Sequence, residues 1–190
     1  MATQSHRSFM TYEEFAALPR EGMITMLLDG EYIVAPSPVR RHQIILGRLH
    51  LELGLWLRAA GRGTLYLAPL DVVLSKAAAR VIQPDIFYLT DDAPERWENG
   101  ILLGMPDLAI EILSKNMNRY DKGRKLEYYD EYGTRELWHV HQERPKVEVY
   151  RRDPAGRLGV AATLGGGDRL ETPLLPGFSL ELALLYAELP

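Results

Sequence analysis

The apolar residues of this 190-residue chain change their spacing several times, and the order of these changes restricts the fold. Asp29-Gly30 lies between apolar residues and predicts a β-hairpin over 24–34, because Asp-Gly suits a tight two-residue turn. Helical spacing predicts one helix over 39–60 and another over 118–132, the second ended by Gly133. Strand-like runs fill most of the remaining chain. This order predicts an α/β (α+β) protein, a mixed β-sheet flanked by helices, and not a doubly wound nucleotide-binding fold.

The shorter elements follow from local signals. Thr11 and Glu14 form a capping-box pattern, which predicts a short helix that ends near Pro19. A last short helix is expected over 179–188, and 91–105 is expected to be a loop. The remaining segments are rich in alternating or continuous apolar residues, and we predict strands over 64–74, 80–89, 107–113, 136–141, 146–151 and 157–164.

Composition indicates an ordinary globular protein. Hydrophobic residues make up 46% and charged residues 25% of the chain, and no repeat or long linker divides it. We therefore expect one domain over 1–190, with residues 1–10 flexible. The absence of cysteine excludes disulfides, thiolate zinc sites and cysteine nucleophiles.

The net charge of -4 argues against a general nucleic-acid coat protein, since bulk binding to phosphate requires positive charge. It leaves room for an enzyme that touches DNA through a local basic patch. No apolar run approaches the roughly 20 residues of a membrane helix, and Met1–Met10 lacks a signal-peptide core. We expect a cytoplasmic protein without membrane contact.

Two apolar, strand-like runs each enclose a carboxylate. Asp85 lies within 81–87, and Glu111 lies within 106–113. A buried carboxylate is costly unless it is paired, hydrogen-bonded or bound to a metal. Two such strands side by side would bring two repelling carboxylates together, and a divalent cation relieves that repulsion. On spacing alone an equally simple interpretation stays open, in which Asp85 caps a turn and Glu111 pairs with a basic side chain.

The segment after the Glu111 strand is basic. Residues 115–125 contain five basic residues and one acid, Asp121. On a helix Lys125 lies one turn after Asp121 and can point back toward Glu111. Two acids and one lysine suffice for metal-assisted hydrolysis of a phosphodiester, because the metal activates water and the lysine offsets developing charge. The alternative is a solvated basic helix face with an Asp121–Lys125 ion pair.

An ordered set of motifs resembles the Uma family of restriction-endonuclease-like proteins, which is assigned to the PD-(D/E)XK nuclease superfamily. The resemblance runs from about Thr11 to the C-terminus. Its motifs are Asp29-Gly30-Glu31, Arg41-His42-Gln43, Pro69-Leu70-Asp71-Val72, Gln83-Pro84-Asp85, Gly104 to Ser114, Asp121 with Lys125, Tyr129, Gly133, and Glu136-Leu137-Trp138.

This resemblance implies a restriction-endonuclease-like core in which Asp85 and Glu111 are catalytic and bind Mg²⁺ or Mn²⁺, with help from a backbone carbonyl near Ile112. The superfamily pattern places a lysine two residues after the second acid, where this chain has Leu113. Lys125 on the following helix is the expected substitute. The resemblance also implies DNA as the substrate, a 5′-phosphate product and a homodimer that cuts paired strands symmetrically.

Two further departures from the family pattern bear on activity. The family usually has Ser-Pro-Ser-Thr where this chain has Ser114 to Met117, and often an acid where this chain has Met26. The alternative function is therefore a catalytically inactive binding or assembly module with a nuclease fold. Leu113 and the acidic net charge favour that alternative.

Other residues are candidates for substrate contacts. His42 and Arg41 open the long helix, and helix N-termini favour anions such as phosphate. Lys115 and Asp121 lie in the basic segment after the Glu111 strand and are also assigned to substrate binding. Solvated surface charges are the alternative at each of these positions.

Asp71 and a histidine pair are weighed against structural roles. Asp71 ends an apolar run and could support the metal, although a strand or turn acid is the simpler interpretation. His139 and His141 share a strand face at a spacing that can bind a transition metal. The family pattern has Leu and Asp at these two places, which argues against a shared role there.

Overall fold

The computed structural model describes residues 9–19, 22–91, 96–114 and 119–189, and of residues 119–121 only the backbone. The helices are α1 (Tyr12–Ala16), α2 (Arg40–Ala60), α3 (Arg119–Glu131) and α4 (Leu182–Tyr186). The strands are β1 (Thr25–Leu28), β2 (Glu31–Val34), β3 (Thr64–Leu67), β4 (Val72–Ser75), β5 (Arg80–Ile82), β6 (Ile86–Leu89), β7 (Trp97–Glu98), β8 (Ile101–Leu103), β9 (Leu108–Leu113), β10 (Glu136–His141), β11 (Lys146–Arg152), β12 (Leu158–Gly165), β13 (Arg169–Glu171) and β14 (Ser179–Glu181). In these ranges no helix combines the length and hydropathy of a membrane span.

The predicted class, a mixed sheet flanked by helices, is confirmed, but the strands form two large sheets. The first has the order β2-β1-β5-β4-β8-β7, and the second has the order β12-β11-β10-β9-β6-β3. Parallel pairing occurs between β4 and β8 and between β9 and β10. Helix α3 connects β9 to β10, which is the long crossover that parallel neighbours require. Strands β13 and β14 pair separately.

The N-terminal hairpin is confirmed with the turn that Asp-Gly predicts. Asp29 and Gly30 have φ angles of 52° and 81°, the positive values of a tight hairpin turn. The capping box of α1 is also present, since Thr11 and Glu14 each bond the other's backbone N–H. Residues 1–8 of the segment expected to be flexible lie outside the described residues. Met10 donates a backbone hydrogen bond of 2.7 Å to the Gly30 carbonyl.

Two predicted long strands, 64–74 and 80–89, are wrong as continuous elements, because each run crosses from one sheet to the other. The first divides into β3 and β4, and the second into β5 and β6. A proline stands at each break, Pro69 and Pro84, and proline cannot donate to a strand ladder.

Two predictions near the ends of the sheets also need correction. The segment 91–105, expected to be a loop, contains the β7–β8 hairpin, with Asn99 and Gly100 at positive φ in its turn. The tail expected to be helical from 179 begins instead as β14, because Leu180 pairs with Leu170 of β13 before α4 starts. Both elements are too short for a periodic pattern to indicate them.

The second sheet is covered on both faces, and this sandwich positions the candidate site. Helices α2 and α4 pack on one face, where the fully buried side chains include Leu49, Ile110 and Trp138. Helix α3 and the first sheet cover the other face, where Tyr129 of α3 and Val72 of β4 share a buried cluster with Phe87 of β6. Because strand side chains alternate, β9 directs Ile110 and Ile112 toward α2, and its odd-numbered residues toward α3.

Candidate active site

Asp85 and Glu111 come from neighbouring strands of the second sheet. Antiparallel pairing aligns Ile86 of β6 with Ile110 of β9, so the same register places Asp85, just before β6, level with Glu111. The Asp85 side chain continues this pairing, since its Oδ2 accepts a 2.7 Å hydrogen bond from the backbone N–H of Ile112. The strand is interrupted at Pro84, and directly after this interruption Asp85 is held beside the strand that carries Glu111.

Glu111 is buried, with 4% of its surface exposed, and two side chains of α3 bind it. The Lys125 ammonium forms an ion pair with Glu111 Oε1. The Tyr129 hydroxyl donates to the same oxygen over 2.5 Å. Lys125 and Tyr129 are one helical turn apart, so α3 presents both donors to one carboxylate. The predicted approach of Lys125 to the Glu111 strand is therefore present in the structure.

Burial sets the electrostatics of this carboxylate. Loss of hydration raises the pKa of the Glu111 carboxyl; the Lys125 ammonium opposes that rise, and the Asp85 carboxylate adds to it. Burial, followed by the Glu111 charge, holds the pKa of the Tyr129 hydroxyl well above its usual range. Tyr129 is therefore a neutral donor to Glu111 at physiological pH.

His42 belongs to the site, but its contact differs from the predicted one. Its Nε2 lies 3.2 Å from Asp85 Oδ1, with 12% of the histidine side chain exposed. It reaches Asp85 from the first turn of α2, whose N-cap Val39 supplies no side-chain hydrogen bond. Arg41, predicted with it as a phosphate contact, instead approaches Glu143 at 3.5 Å. The structure thus brings His42, and not the Arg41 guanidinium, to the acid pair.

The two other predicted substrate contacts are Lys115 and Asp121. Lys115 lies outside the described residues, and so does the side chain of Asp121.

Asp71 accepts a 2.6 Å hydrogen bond from the Gln83 side chain, which also accepts from the backbone of Thr25. Asp71 therefore helps to fix the point where the chain crosses between sheets, in agreement with its structural interpretation.

A small cleft of about 10 Å³ opens next to Glu111, and that volume suits about one water molecule. It is lined by Glu111, Leu113, Lys122, Lys125 and His139. Leu113 occupies the position where the superfamily pattern has its lysine, and Lys125 lines the same cleft from the opposite helix. The cleft therefore contains a lysine ammonium group although position 113 has none, because Lys125 of α3 supplies it.

The histidine pair does not form a metal cluster with its neighbours. His139 Nδ1 and His141 Nε2 lie 4.0 and 3.2 Å from the same oxygen of Glu148. Within the ranges that the structure describes, no group of three or more His, Asp or Glu side chains could hold a metal ion. A histidine-based metal site therefore gains no support.

Two contributions were missed by reasoning from the sequence. Tyr129 is named from the sequence only as one of the family motifs and has no role there, although its spacing from Lys125 could have indicated a shared partner. His139 was considered only together with His141, and its position in the cleft follows from pairing with Glu111 on the adjacent parallel strand. That register is a long-range property that no local pattern reveals.

The residues present fit a hard divalent cation. Asp85 and Glu111 provide oxygen donors, the type that Mg²⁺ and Mn²⁺ prefer. Lys125 pairs directly with only one of these two carboxylates, so a cation would lower the repulsion that remains between them. Mg²⁺ commonly uses only one or two protein carboxylates and completes its coordination with water and phosphate oxygens.

A known protein family matches most of the chain. The model of the Uma2 family, described as "Putative restriction endonuclease", matches residues 12–183. The chain belongs to the Uma2 family. The match includes Asp85, Glu111 and Lys125, and it confirms the family resemblance derived from the sequence motifs. No curated protein matches the chain.

A solved structure shows the fold of this Uma2 chain in another protein. It is described as "a putative nuclease belonging to DUF820 from Anabaena variabilis ATCC 29413" and superposes with a TM-score of 0.75 at 20% sequence identity. The similarity covers 94% of this chain and 98% of the other. At this level of identity the similarity establishes the fold, and the chemistry is inferred from the site.

Proposed function

We propose that this Uma2 protein is an endonuclease that hydrolyses phosphodiester bonds in DNA with the help of Mg²⁺ or Mn²⁺. One observation carries the proposal: Lys125 of α3 binds Glu111 in a buried cleft beside the anchored carboxylate of Asp85. A lysine and two acids drawn from three separate segments of the chain are costly to bring together. Their convergence is expected of a reaction site and is not needed for folding.

Asp85 and Glu111 would hold the cation, together with the backbone carbonyl near Ile112. When bound, the cation would supply charge neutralisation at the phosphate and a lower pKa for water. The Ile112 N–H and the His42 imidazole orient the Asp85 carboxylate, and Tyr129 orients that of Glu111.

Lys125 has two tasks in this proposal. Its ammonium group holds the water that adds to phosphorus, and it offsets the negative charge that develops on the phosphate oxygens. The water oxygen bonds to phosphorus while the bond from phosphorus to the 3′ oxygen breaks. A proton ends on that oxygen, and the products are a 3′-hydroxyl and a 5′-phosphate.

Plasmid cleavage in Mg²⁺ tests the proposal. Asp85→Asn, Glu111→Gln and Lys125→Met should each lower the cleavage rate by about 10²-fold or more, since each removes a charge from the reacting centre. Glu98→Gln and Lys76→Met are matched controls, because they break a Lys–Glu contact of 2.8 Å in and near the first sheet. If the three site variants cleave the plasmid at the wild-type rate, the assigned roles are refuted.

A second candidate function is a binding or assembly module without turnover. The small volume of the cleft favours it, because a substrate phosphate must enter beside Glu111. Calorimetry with Mg²⁺ or Mn²⁺ separates the two functions. The endonuclease should bind metal at millimolar concentration, and this binding should disappear in Asp85→Asn, whereas a module without turnover needs no metal.

Three further predictions remain part of the proposal. A homodimer would allow both strands of a duplex to be cut, and light scattering should then give twice the mass of one chain. One domain over 1–190 should unfold in a single cooperative transition. A cytoplasmic location should appear in cell fractionation.

A further inference from the structure

Four basic side chains surround one carboxylate close to the candidate active site. Glu148 Oε1 binds the Lys146 ammonium at 2.6 Å. Glu148 Oε2 lies 3.2 Å from His141 Nε2, 3.3 Å from Lys122 Nζ and 4.0 Å from His139 Nδ1. We refer to these five residues as the Glu148 cluster.

The cluster is continuous with the cleft. Strand pairing aligns Glu111 of β9 with His139 of β10, and His139 with Glu148 of β11, so the three residues form one row on the α3 side of the sheet. Neighbouring strands are about 4.8 Å apart, which separates the backbones at Glu111 and Glu148 by about 10 Å. Lys122 bridges this interval, because it lines the cleft and also approaches Glu148.

The cluster carries surplus positive charge at a partly open surface. Burial acts against ionisation, but bonds from Lys146 and His141 and the charge of Lys122 hold the pKa of Glu148 at about 2, so its carboxylate is charged. Two ammonium groups therefore face one carboxylate. The side chains of Lys122 and Lys146 are 31% and 25% exposed, so a ligand can reach both. On a chain of net charge -4, such a local surplus is where an anion is attracted.

The alternatives are a cation site and a purely structural ion network. The two ammonium groups beside Glu148 repel a cation, which disfavours a metal. A structural network is complete when its charges balance, and here Lys122 and Lys146 outnumber the single acid. His139 Nδ1 is in addition buried without a hydrogen-bond partner in the described part of the chain.

We propose that the Glu148 cluster binds a backbone phosphate of the DNA strand that occupies the cleft, with Lys122 and Lys146 as the phosphate contacts. In the free protein Glu148 is the counter-ion of the two ammonium groups. The phosphate is not the one that is cleaved, since the cluster lies two strands away from Glu111. This inference rests on the proposed endonuclease function and extends it to how the strand is oriented.

The test measures binding of a short fluorescent DNA duplex to the full chain in EDTA, over a range of salt concentrations. Each phosphate contact contributes about 0.9 to the slope of log affinity against log salt. Lys146→Met should therefore reduce the slope by about 0.9 and weaken binding at low salt. Glu148→Gln should strengthen binding about fivefold, because it removes the only negative charge of the cluster. Lys76→Met, which breaks a similar Lys–Glu contact near the first sheet, should leave the slope unchanged.

The outcomes separate this inference from the proposed function. If the wild type cleaves DNA but Lys146→Met keeps the wild-type slope, or Glu148→Gln binds more weakly, the phosphate contact is refuted and the endonuclease remains. If the wild type neither binds nor cleaves DNA, both proposals fail. Plasmid cleavage by Lys146→Met should show a higher KM with little change in kcat. A change in the reacting centre would instead lower kcat.

Discussion

Replacing Lys125 by methionine isolates the ion pair at the centre of the candidate site. Methionine keeps most of the length and apolar volume of the lysine stem and removes only the charge. The side chains of Lys125 and Glu111 are 8% and 6% exposed, so solvent screens their interaction little. The variant therefore leaves a carboxylate buried without its cation.

The magnitude follows from what remains around Glu111. Breaking a buried ion pair by removing one partner costs about 3–5 kcal/mol. Tyr129 still donates to Glu111 Oε1 at 2.5 Å in the variant, so we expect the lower end, about 3 kcal/mol. Glu111→Gln strands the ammonium instead and should cost a similar amount. The double variant Lys125→Met with Glu111→Gln has no stranded charge, so its cost should be no larger than that of either single variant, about 3 kcal/mol.

Urea unfolding of the four proteins at neutral pH, in EDTA, provides the assay. The expected coupling energy, the difference between the summed costs of the single variants and the cost of the double variant, is at least about 3 kcal/mol. Additive losses near 6 kcal/mol in the double variant, or losses below 1 kcal/mol in both single variants, would refute a direct buried contact. The same Lys125→Met protein should bind Mn²⁺ more tightly than the wild type while cleaving more slowly, because the ammonium competes with the cation for Glu111.

Three further predictions concern a hydrogen bond of the site and two ion pairs of the same sheet. Tyr129→Phe removes one donor to Glu111, and it should lower the free energy of unfolding by about 1–2 kcal/mol and reduce kcat more than it changes KM. The pKa of Glu148 is lowered from the ordinary 4.5 to about 2, so the stability that this carboxylate contributes is present above pH 4.5 and is lost as the pH falls toward 2. Between pH 4.5 and 2 the free energy of unfolding of Glu148→Gln should therefore fall by about 2 kcal/mol less than that of the wild type. Arg151→Met removes the cation that binds the fully buried Glu136 at 2.6 Å. The Trp138 indole still donates to this carboxylate, so the variant should cost about 3 kcal/mol in urea unfolding, the lower end for a broken buried pair.

The sequence predicts those parts of the fold whose signals are local. The Asp29-Gly30 hairpin and α2 follow from turn chemistry and from helical spacing, and both are present close to the predicted bounds. The change of sheet at Pro69 and Pro84 could not be derived in this way. Apolar residues continue through both breaks, and which sheet each half joins depends on partners distant in sequence, such as Leu27 for Val81.

The candidate site likewise has parts that local sequence signals predict and parts that depend on long-range packing. Asp85, Glu111 and Lys125 could be proposed because an acid inside an apolar strand, or a lysine one turn along a helix, is visible in the sequence. The contact of His42 with Asp85 was not predicted, since it joins the first turn of α2 to the start of β6. The alignment of Glu111, His139 and Glu148 likewise depends on strand register, which is set by the packed sheet and not by any one strand.

The position of a bound cation tests the central claim most directly. Crystals of the full chain grown with Mn²⁺ can be measured for anomalous scattering, which locates the ion without reference to activity. The account predicts a peak about 2.1–2.4 Å from a carboxylate oxygen of both Asp85 and Glu111. An ion bound elsewhere, or no peak between these carboxylates at millimolar Mn²⁺, would contradict it.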